Sequence, residues 1–375
     1  MYTREASALD LFTNSVRIMG DATLCGVMEF DQRLDPILLE SAVRACIMAH
    51  PILHSRLVRG NGPAFWEMWP VSLPPLEVTD CTEANHPQII GPVDPYQPVQ
   101  CRVRLLRRSS GDVIVVNLAH AAADGYGLQI FMSQLLQEYD KPGSVLPAHG
   151  GIPERDTLWT SKLSGDEKPA SALMKVINPL WPDPLGKSKQ RSSFHRKRVS
   201  PRLLERIRAR AGKSGGSIND VVMAAYFLTM SDLTGHPGPI DIFFPVNLRK
   251  HLNDGTRVMS NQAVNVCFAL TRRNGDGMEE VFSRVIESTR GLKAGQIGIL
   301  EQVEMDAACD PEGRRIQAMV DQMVALQKTG LADIFISNPG PFTLPEIEGL
   351  EDAYICYPGG TCPAPVLSPA RSEGR

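Results

Sequence analysis

Apolar and polar residues follow one another along this chain with two different periods. Short apolar runs bounded by turn residues predict β-strands, whereas apolar residues three and four positions apart predict helices that are buried on one side. Both patterns occur in turn over the first 140 residues, so we expect an α/β lobe there. The predicted strands are 22–30, 53–58, 64–69, 101–106 and 112–119, and the predicted helices are 34–50 and the segment that follows His120.

Residues 141–192 separate this lobe from the rest of the chain. They are rich in Pro, Gly, Ser and Lys with little periodicity, which predicts a crossover between two lobes. In the second half we expect strands at 192–200, 240–249, 263–270, 331–339 and 353–358, and helices at 201–213, 217–235, 278–294 and 311–329. The pattern therefore predicts a mixed α/β protein with an N-terminal lobe at 1–140, a C-terminal lobe at 193–357 and an unstructured tail at 358–375.

Several helix ends carry local signals of their own. A short polar side chain before a helix can accept hydrogen bonds from its first backbone N–H groups, and glycine favours the left-handed conformation that ends a helix. These signals predict both ends of two helices. The first helix should begin after Asp35, with Pro36 in its first turn, and end before Pro51. The second should begin at a capping box of Ser217 and Asp220 and end at Gly235.

Composition narrows the classes of function. The 375 residues are 43% hydrophobic and 22% charged with a net charge of −3, so the chain as a whole shows no excess of basic residues for binding nucleic acid. No apolar run reaches the length of a membrane span, and the first residues lack the basic and apolar regions of a signal peptide. The eight cysteines are scattered and form no CxxC pair. We expect a reduced, cytoplasmic protein that is a monomer.

The stretch "VIVVNLAHAAADGYGLQIFMSQLLQEY" at 113–139 contains the most distinctive chemistry. A buried strand runs into His120, and Asp124 follows four residues later at the start of an amphipathic helix. A histidine on such a loop can be a catalytic base, because its pKa lies near neutrality. A metal site would need further ligands, and none lies nearby at a suitable spacing, so we expect no metal. From the residues alone, catalysis and a plain turn with a helix cap both remain open.

The segment 186–213 concentrates Lys and Arg in a chain that is otherwise close to neutral. One interpretation is a solvated helix face and loop. The other is a landing surface for the phosphates of coenzyme A or for an acidic carrier protein.

Several stretches resemble one known family in the same order and at similar spacing. "AHAAADG" at 119–125 is similar to the His-His-x-x-x-Asp-Gly motif of the condensation-domain superfamily, which includes the chloramphenicol acetyltransferase-like acyltransferases. "RLDPILLESAVRACIMAHPILHSRLV", "GSINDVVMAAYFLTM", "FFPVNLRKHL", "MSNQAVNVCFAL" and "FISNPGPF" resemble further segments of that family. The resemblance covers most of residues 8–345. It implies two chloramphenicol acetyltransferase-like lobes, each a mixed sheet flanked by helices, with a substrate tunnel between them.

The resemblance also assigns roles to individual residues. His120 matches the catalytic general base, Gly125 matches the motif glycine, and Asp124 matches a structural aspartate that pairs with an arginine, here Arg249. Polar residues on the strands expected to line the tunnel are candidates for binding the thioester or the oxyanion. They are Ser260, Asn261, Ser337 and Asn338. The implied activity is transfer of an acyl group from acyl-CoA or a phosphopantetheine thioester, as co-substrate, to a hydroxyl or amine of a small-molecule acceptor. An acyl or peptidyl carrier protein is the implied partner, and no bound cofactor is implied.

Three features depart from the family pattern. Ala119 stands where the first histidine usually lies, the Asp-Phe-Gly-Trp-Gly motif of the plant branch is absent, and only 35 residues follow "ISNPG" where family members continue with further strands. Two alternatives to a small-molecule acyltransferase therefore stay open. One is a binding or recruitment module with impaired catalysis, and the other is a free-standing condensation domain that forms amides.

Overall fold

The computed structural model describes residues 3–20, 22–69, 76–81, 91–145, 181–182, 196–252, 259–294, 297–327, 331–332, 334–340 and 342–356. The helices are α1 (Ala8–Ser15), α2 (Pro36–Ala49), α3 (Gly125–Asp140), α4 (Pro201–Lys213), α5 (Ile218–Thr234), α6 (Met278–Ala294), α7 (Ile299–Ala308) and α8 (Arg314–Gln327). The strands are β1 (Thr3–Glu5), β2 (Thr23–Phe30), β3 (Ser55–Val58), β4 (Phe65–Met68), β5 (Glu77–Asp80), β6 (Cys101–Arg108), β7 (Gly111–Ala119), β8 (Trp181–Pro182), β9 (Pro239–Asn247), β10 (Ala263–Thr271), β11 (Leu331–Ala332), β12 (Ile334–Phe335) and β13 (Leu350–Cys356).

The first lobe is built on a mixed five-stranded sheet with the order β13-β2-β7-β6-β5. β5 runs parallel to β6, and the other neighbours are antiparallel. α2 and α3 cover one face, where Leu39 and Phe131 share a core with Met28 and Ile114. Every residue of β7 is buried, because both faces of this central strand are covered. The strand that leads to His120 is therefore held rigidly.

The second lobe contains a smaller mixed sheet with the order β10-β9-β12. β10 is antiparallel and β12 parallel to β9, and α5 and α6 supply Phe227 and Val285 to a core shared with Ile242 on β9. Two smaller sheets, β1-β4-β3 and β8-β11, complete the described strands. The predicted fold, two lobes that each hold a mixed sheet flanked by helices, is confirmed.

Helix ends lie where the sequence signals predicted them. The Asp35 carboxylate accepts hydrogen bonds from the first N–H groups of α2, and this helix ends before Pro51. Ser217 and Asp220 form a capping box at the start of α5, and Gly235 ends α5 with φ +60°, in the left-handed region. These ends are set by neighbouring residues in the chain, which is why sequence alone located them.

β13 belongs to the sheet of the first lobe, although the sequence placed it in the C-terminal lobe. We assigned residues up to 357 to that lobe, yet β13 pairs antiparallel with β2 and forms the edge of the first sheet. Its alternating side chains serve both faces, since Ala353 and Ile355 join the core beneath α3 while Tyr354 packs on the opposite face. Strand pairing over such a sequence separation leaves no local signal.

The strand predicted at 192–200 is absent from its described part, residues 196–200. Here Arg196 and Arg198 extend to the carboxylate of Asp352 on β13, and the Arg196 guanidinium lies 4.2 Å from the ring centre of Tyr354. Alternate residues of this segment, Arg196 and Arg198, thus both point to one carboxylate, that of Asp352, without forming a strand. The remainder of this prediction, 192–195, and the predicted tail at 358–375 lie outside the described residues.

α1 packs at the junction of the two halves of the chain. Its N-terminus is held by a capping box between Ser7 and Asp10, and Asp10 Oδ2 also accepts hydrogen bonds from Arg4 at 2.7 Å and from Trp66 Nε1 at 3.0 Å. Its apolar side, with Leu9 and Leu11, packs in a cluster with Met305 of α7 and Ile316 of α8. α1 is therefore a fixed element behind the functional site described next.

Candidate active site

His120 lies at the end of β7, between the last strand residue and the first turn of α3. Its side chain is partly exposed, whereas the neighbouring Ala119 and Ala121 are buried. Nδ1 of His120 is 3.0 Å from the carbonyl oxygen of Ala123. Because a carbonyl oxygen can only accept, Nδ1 must carry the hydrogen of this bond, and the lone pair of the neutral ring is then on Nε2.

The protonation state of His120 follows from its surroundings. Burial lowers the pKa of His120 below its ordinary value of 6.5, because a charged ring loses solvation. The backbone hydrogen bonds and the nearby charge of Asp124 act in the opposite direction but do not outweigh burial. The ring is therefore neutral at pH 7 and able to accept a proton.

Asp124 fixes the loop that carries His120. Its Oδ1 accepts the N–H of Gly127 at 2.9 Å, which caps α3. Its Oδ2 accepts NH1 of Arg249 at 2.7 Å and the backbone N–H of Gln262 at 2.8 Å. The side chains of Asp124 and Arg249 are only 2% and 5% exposed. The same carboxylate therefore caps the helix and pairs with the arginine.

Arg249 extends this network into the second half of the chain. Its NH2 donates to the carbonyl oxygen of Ser260 at 2.7 Å, and its guanidinium lies 5.1 Å from the ring centre of Tyr126. Arg249 thereby links the start of α3 to the loop that precedes β10. The contact that the sequence resemblance predicted between Asp124 and Arg249 is present.

Ser260 and Asn261 do not lie on a strand but in the loop before β10, and their side chains are buried. The Ser260 hydroxyl accepts a hydrogen bond from Gln262 Nε2 at 3.1 Å. The Asn261 amide nitrogen is 3.3 Å from the carbonyl oxygen of His120. These hydrogen bonds place both residues behind the histidine loop, and their binding of substrate stays a prediction.

Ser337 and Asn338 lie in a segment that crosses in front of α3. The Asn338 amide donates to the side chain of Asn219, at the start of α5, at 3.1 Å. Gln129 of α3 donates to the carbonyl oxygen of the next residue, Pro339, at 3.0 Å. This segment thus contacts α5 in the second half of the chain and α3 in the first. Ser337 is partly buried, and no hydrogen bond of its hydroxyl occurs within the described part of the chain.

Sequence reasoning missed four residues that build this site: Thr13, Asn219, Gln129 and Gln262. Asn219, Gln262 and Gln129 carried a weak signal, because they lie in the stretches "GSIND", "MSNQAVNVCFAL" and "VIVVNLAHAAADGYGLQIFMSQLLQEY" that the sequence analysis singled out. Thr13 reaches the site from a distant segment of the chain, so no local pattern could indicate it.

The two glycines at the start of α3 are expected to differ in tolerance. A Cβ added at Gly125 would lie 3.5 Å from Cβ of Pro339, an ordinary contact, whereas one at Gly127 would lie 3.1 Å from Cβ of Ala123 and 3.2 Å from Sδ of Met259. Gly125→Ala should therefore change the free energy of unfolding by less than about 0.5 kcal/mol. Gly127→Ala should lower it by about 1–3 kcal/mol through overpacking. Urea unfolding of both variants checks this, and equal losses would contradict it.

The basic stretch ends close to the site. Within the described residues, α4 presents its basic side chains to solvent, although Arg208 pairs with Glu205 and Arg210 with Glu279. Its last turn leads within five residues to the start of α5, where Asn219 contacts Asn338. A basic surface therefore borders the segment that crosses in front of α3.

Two broader features concern the described residues as a whole. No group of three or more His, Cys, Asp or Glu side chains among them is arranged to hold a metal ion. None of their helices combines the length and the apolar character that crossing a membrane requires.

The structure is similar to several solved structures. Polyketide synthase associated protein 5 from Mycobacterium tuberculosis matches with a TM-score of 0.61 and 17% identity, covering 94% of this chain and 85% of that one. The first condensation domain of the calcium-dependent antibiotic synthetase matches with a TM-score of 0.68 and 15% identity, covering 96% and 85%. The EpoB NRPS cyclization-docking bidomain from Sorangium cellulosum matches with a TM-score of 0.66 and 14% identity, covering 92% and 72%.

No protein-family model matches the sequence, and no curated protein matches it. The similarity therefore rests on structure, and at these identities it establishes the fold. The fold expected from "AHAAADG" and its companion segments is confirmed at this level: the chain folds like the solved condensation and cyclization domains and the polyketide-associated protein.

Proposed function

We propose that this protein transfers an acyl group from a thioester to a hydroxyl or amine, with Nε2 of His120 as the general base. The observation that carries the proposal is the hydrogen bond from Nδ1 of His120 to the carbonyl oxygen of Ala123. It reserves the lone pair of the neutral ring for Nε2. A neutral imidazole on a loop fixed by buried contacts is suited to accept a proton at pH 7.

The reaction proceeds in two steps. In the first, Nε2 accepts the proton of the acceptor's O–H or N–H group while the acceptor atom forms a bond to the thioester carbonyl carbon. The carbonyl electrons move to oxygen and give a tetrahedral oxyanion. In the second step the carbonyl re-forms, the C–S bond breaks, and the leaving sulfur takes the proton from Nε2. The products are an ester or amide and a free thiol, and His120 is neutral again.

We infer further roles from the surroundings of His120. Asp124 and Arg249 bind each other, and in this proposal they position the loop while His120 transfers the proton. Of the four polar residues that the sequence offered for substrate binding, we take Ser337 as the candidate donor to the oxyanion, because it lies two residues from Pro339 in the segment beside Gly125. Such a donor would strengthen its hydrogen bond as negative charge develops on the oxygen.

The donor in this proposal is a thioester of coenzyme A or of phosphopantetheine on an acyl or peptidyl carrier protein. Both donors carry phosphate groups. The exposed arginines of α4, and the approach of its last turn to Asn219, make this helix the candidate surface for them.

Thiol release tests the proposal directly. Wild-type protein is supplied with a panel of acyl-CoA and acyl-carrier-protein donors, with and without mixed alcohol and amine acceptors, and free thiol is detected with a disulfide reagent. We expect release that requires an acceptor. His120→Gln, checked for native circular dichroism, is the matched control and should release thiol no faster than the buffer. Equal release by both proteins would refute the proposal.

The binding or recruitment module is the second candidate function, and the observation in its favour is Ala119 in the place of the first motif histidine. Such a module binds a carrier protein or thioester without consuming it. A folded protein that binds a donor, measured by calorimetry, but releases no thiol would establish this function. Release from carrier-bound donors alone, with an amine acceptor, would instead identify an amide-forming condensation domain.

A further inference from the structure

The side chain of Asn261 bonds to the protein through both of its polar atoms. Its Nδ2 lies 3.3 Å from the carbonyl oxygen of His120 and 3.3 Å from Oγ1 of Thr13. Its Oδ1 accepts the backbone N–H of Ala263 at 3.4 Å. An amide NH₂ group has two hydrogens, so one can be directed to each of the two oxygens. With 1% of its surface exposed, Asn261 is enclosed by these partners.

Thr13 can accept this hydrogen bond because its own hydroxyl hydrogen is directed elsewhere. Oγ1 of Thr13 donates to the carbonyl oxygen of Leu9, one turn earlier in α1, at 2.7 Å. A lone pair of the hydroxyl is then left for the Asn261 amide. The backbone of α1 is held in turn by Asp10, which binds Trp66 Nε1. Asn261 therefore connects the backbone of His120 to a rigid helix.

His120 is held both at its ring and at its backbone. Ala123 binds Nδ1, and Asn261 binds the carbonyl oxygen at the peptide bond that leads into the turn. Loss of the bond from Asn261 would remove a restraint on the His120–Ala121 peptide, and rotation of this peptide would carry the ring with it. A shift of about 1 Å in a reacting group can reduce a rate by about 10²-fold.

We propose that Asn261 is the positioning residue for His120, and that it acts by tying the histidine carbonyl to Thr13 of α1. This role rests on the proposed function of His120 as general base. In this arrangement Asn261 acts on His120 through the backbone carbonyl of the histidine. Its effect is therefore on the rate of the chemical step and not on substrate binding.

The test compares Asn261→Asp with two other variants. An aspartate has the same shape, but it presents an oxygen to the His120 carbonyl in place of an N–H group. Thr13→Val removes the second partner without changing the loop. Asn265→Asp is the matched control, because Asn265 lies four residues further on, exposed on β10. Each variant is first checked for native circular dichroism and cooperative unfolding.

In steady-state kinetics we expect Asn261→Asp to lower kcat by about 10- to 100-fold with KM within about threefold of wild type. Thr13→Val should lower kcat in the same way but less, and Asn265→Asp should leave both constants unchanged. A rise in KM with kcat unchanged would show that Asn261 contacts substrate, which overturns the proposal.

A second measurement does not depend on turnover. The ring nitrogens of His120 are followed by NMR in protein labelled with ¹⁵N-histidine, with His120→Gln used for assignment. In Asn261→Asp we expect a loss of the Nδ1–H tautomer preference and a pKa closer to 6.5 than in wild type. An unchanged ring in a folded variant would overturn the proposal, whether or not acyl transfer is detected. If wild-type protein transfers no acyl group but the His120 ring still changes in Asn261→Asp, only the proposed function is refuted.

Discussion

His120→Gln is expected to lower kcat/KM for acyl transfer by about 10²- to 10⁴-fold, the usual contribution of a general base. Glutamine can still donate to the Ala123 carbonyl, so the loop should keep its shape while the proton acceptor at Nε2 is lost. His251→Gln is the matched control, because His251 also bonds to a backbone carbonyl, that of Ile297 at 3.0 Å. A His120→Gln enzyme with more than a tenth of wild-type activity would exclude the histidine as the base.

The pH dependence of the rate tests the same role. The active ring is neutral, and burial lowers the pKa of His120 below 6.5. The rate should therefore rise with pH, reach half its maximum below pH 6.5, and be constant around pH 7. From the sequence alone we placed this midpoint near neutrality, because the unperturbed value of histidine is all that a sequence supplies. A midpoint above pH 7 would show that the ring is charged in the resting enzyme.

Stability should change with pH in the same direction. Burial also lowers the pKa of His50 and His54, so three histidines have folded pKa values below their ordinary 6.5. At a pH between the pKa values of a histidine in the folded and the unfolded state, the unfolded chain binds more protons than the folded protein. The contribution of these histidines to the free energy of unfolding should thus be complete above about pH 6.5 and should fall as the pH drops below it. His120→Gln should reduce the steepness of that fall, which urea unfolding at several pH values measures.

Those parts of the fold that neighbouring residues determine could be predicted from the sequence. The ends of α2 and α5 follow from Asp35, Ser217 and Gly235, which act within one helical turn. The burial of β7 follows from the apolar run at 113–116 in its centre. The position of His120 follows from that strand and from the family resemblance, since both place it where a buried strand ends.

The parts that the sequence did not predict depend on contacts between distant residues. β13 carries an ordinary strand pattern, and nothing within it identifies β2 as its partner. Asn261 has a polar side chain near the site, which suggested substrate binding, but its hydrogen bonds to Thr13 and His120 join segments more than 100 residues apart. Helices α1 and α7 were missed because they are short, 8 and 10 residues long, so few turns carry their apolar pattern.

Asp124→Asn is expected to lower the free energy of unfolding by about 3–5 kcal/mol, the usual effect of removing one partner of a buried ion pair. The Asp124 carboxylate contacts Arg249 at 2.7 Å, and both side chains are almost completely buried. Without its partner the guanidinium is a buried charge that no water solvates. Because Asp124 also holds the loop that carries His120, acyl transfer should fall together with stability. Glu40→Gln is the control, since it breaks the exposed pair of Glu40 and Arg44 and should change stability by less than about 0.5 kcal/mol.

The double variant Asp124→Asn/Arg249→Met separates the ion pair from the other contacts of each residue. Methionine removes the charge of Arg249 while keeping an unbranched side chain, so neither charge remains buried. If the pair is what holds the loop, the double variant should be more stable than the sum of the two single losses predicts, by about 1–3 kcal/mol. Additive losses would mean that the hydrogen bonds of Asp124 to Gly127 and Gln262 dominate. In that case Arg249 would serve mainly to hold the Ser260 carbonyl, and the carboxylate alone would fix the catalytic loop.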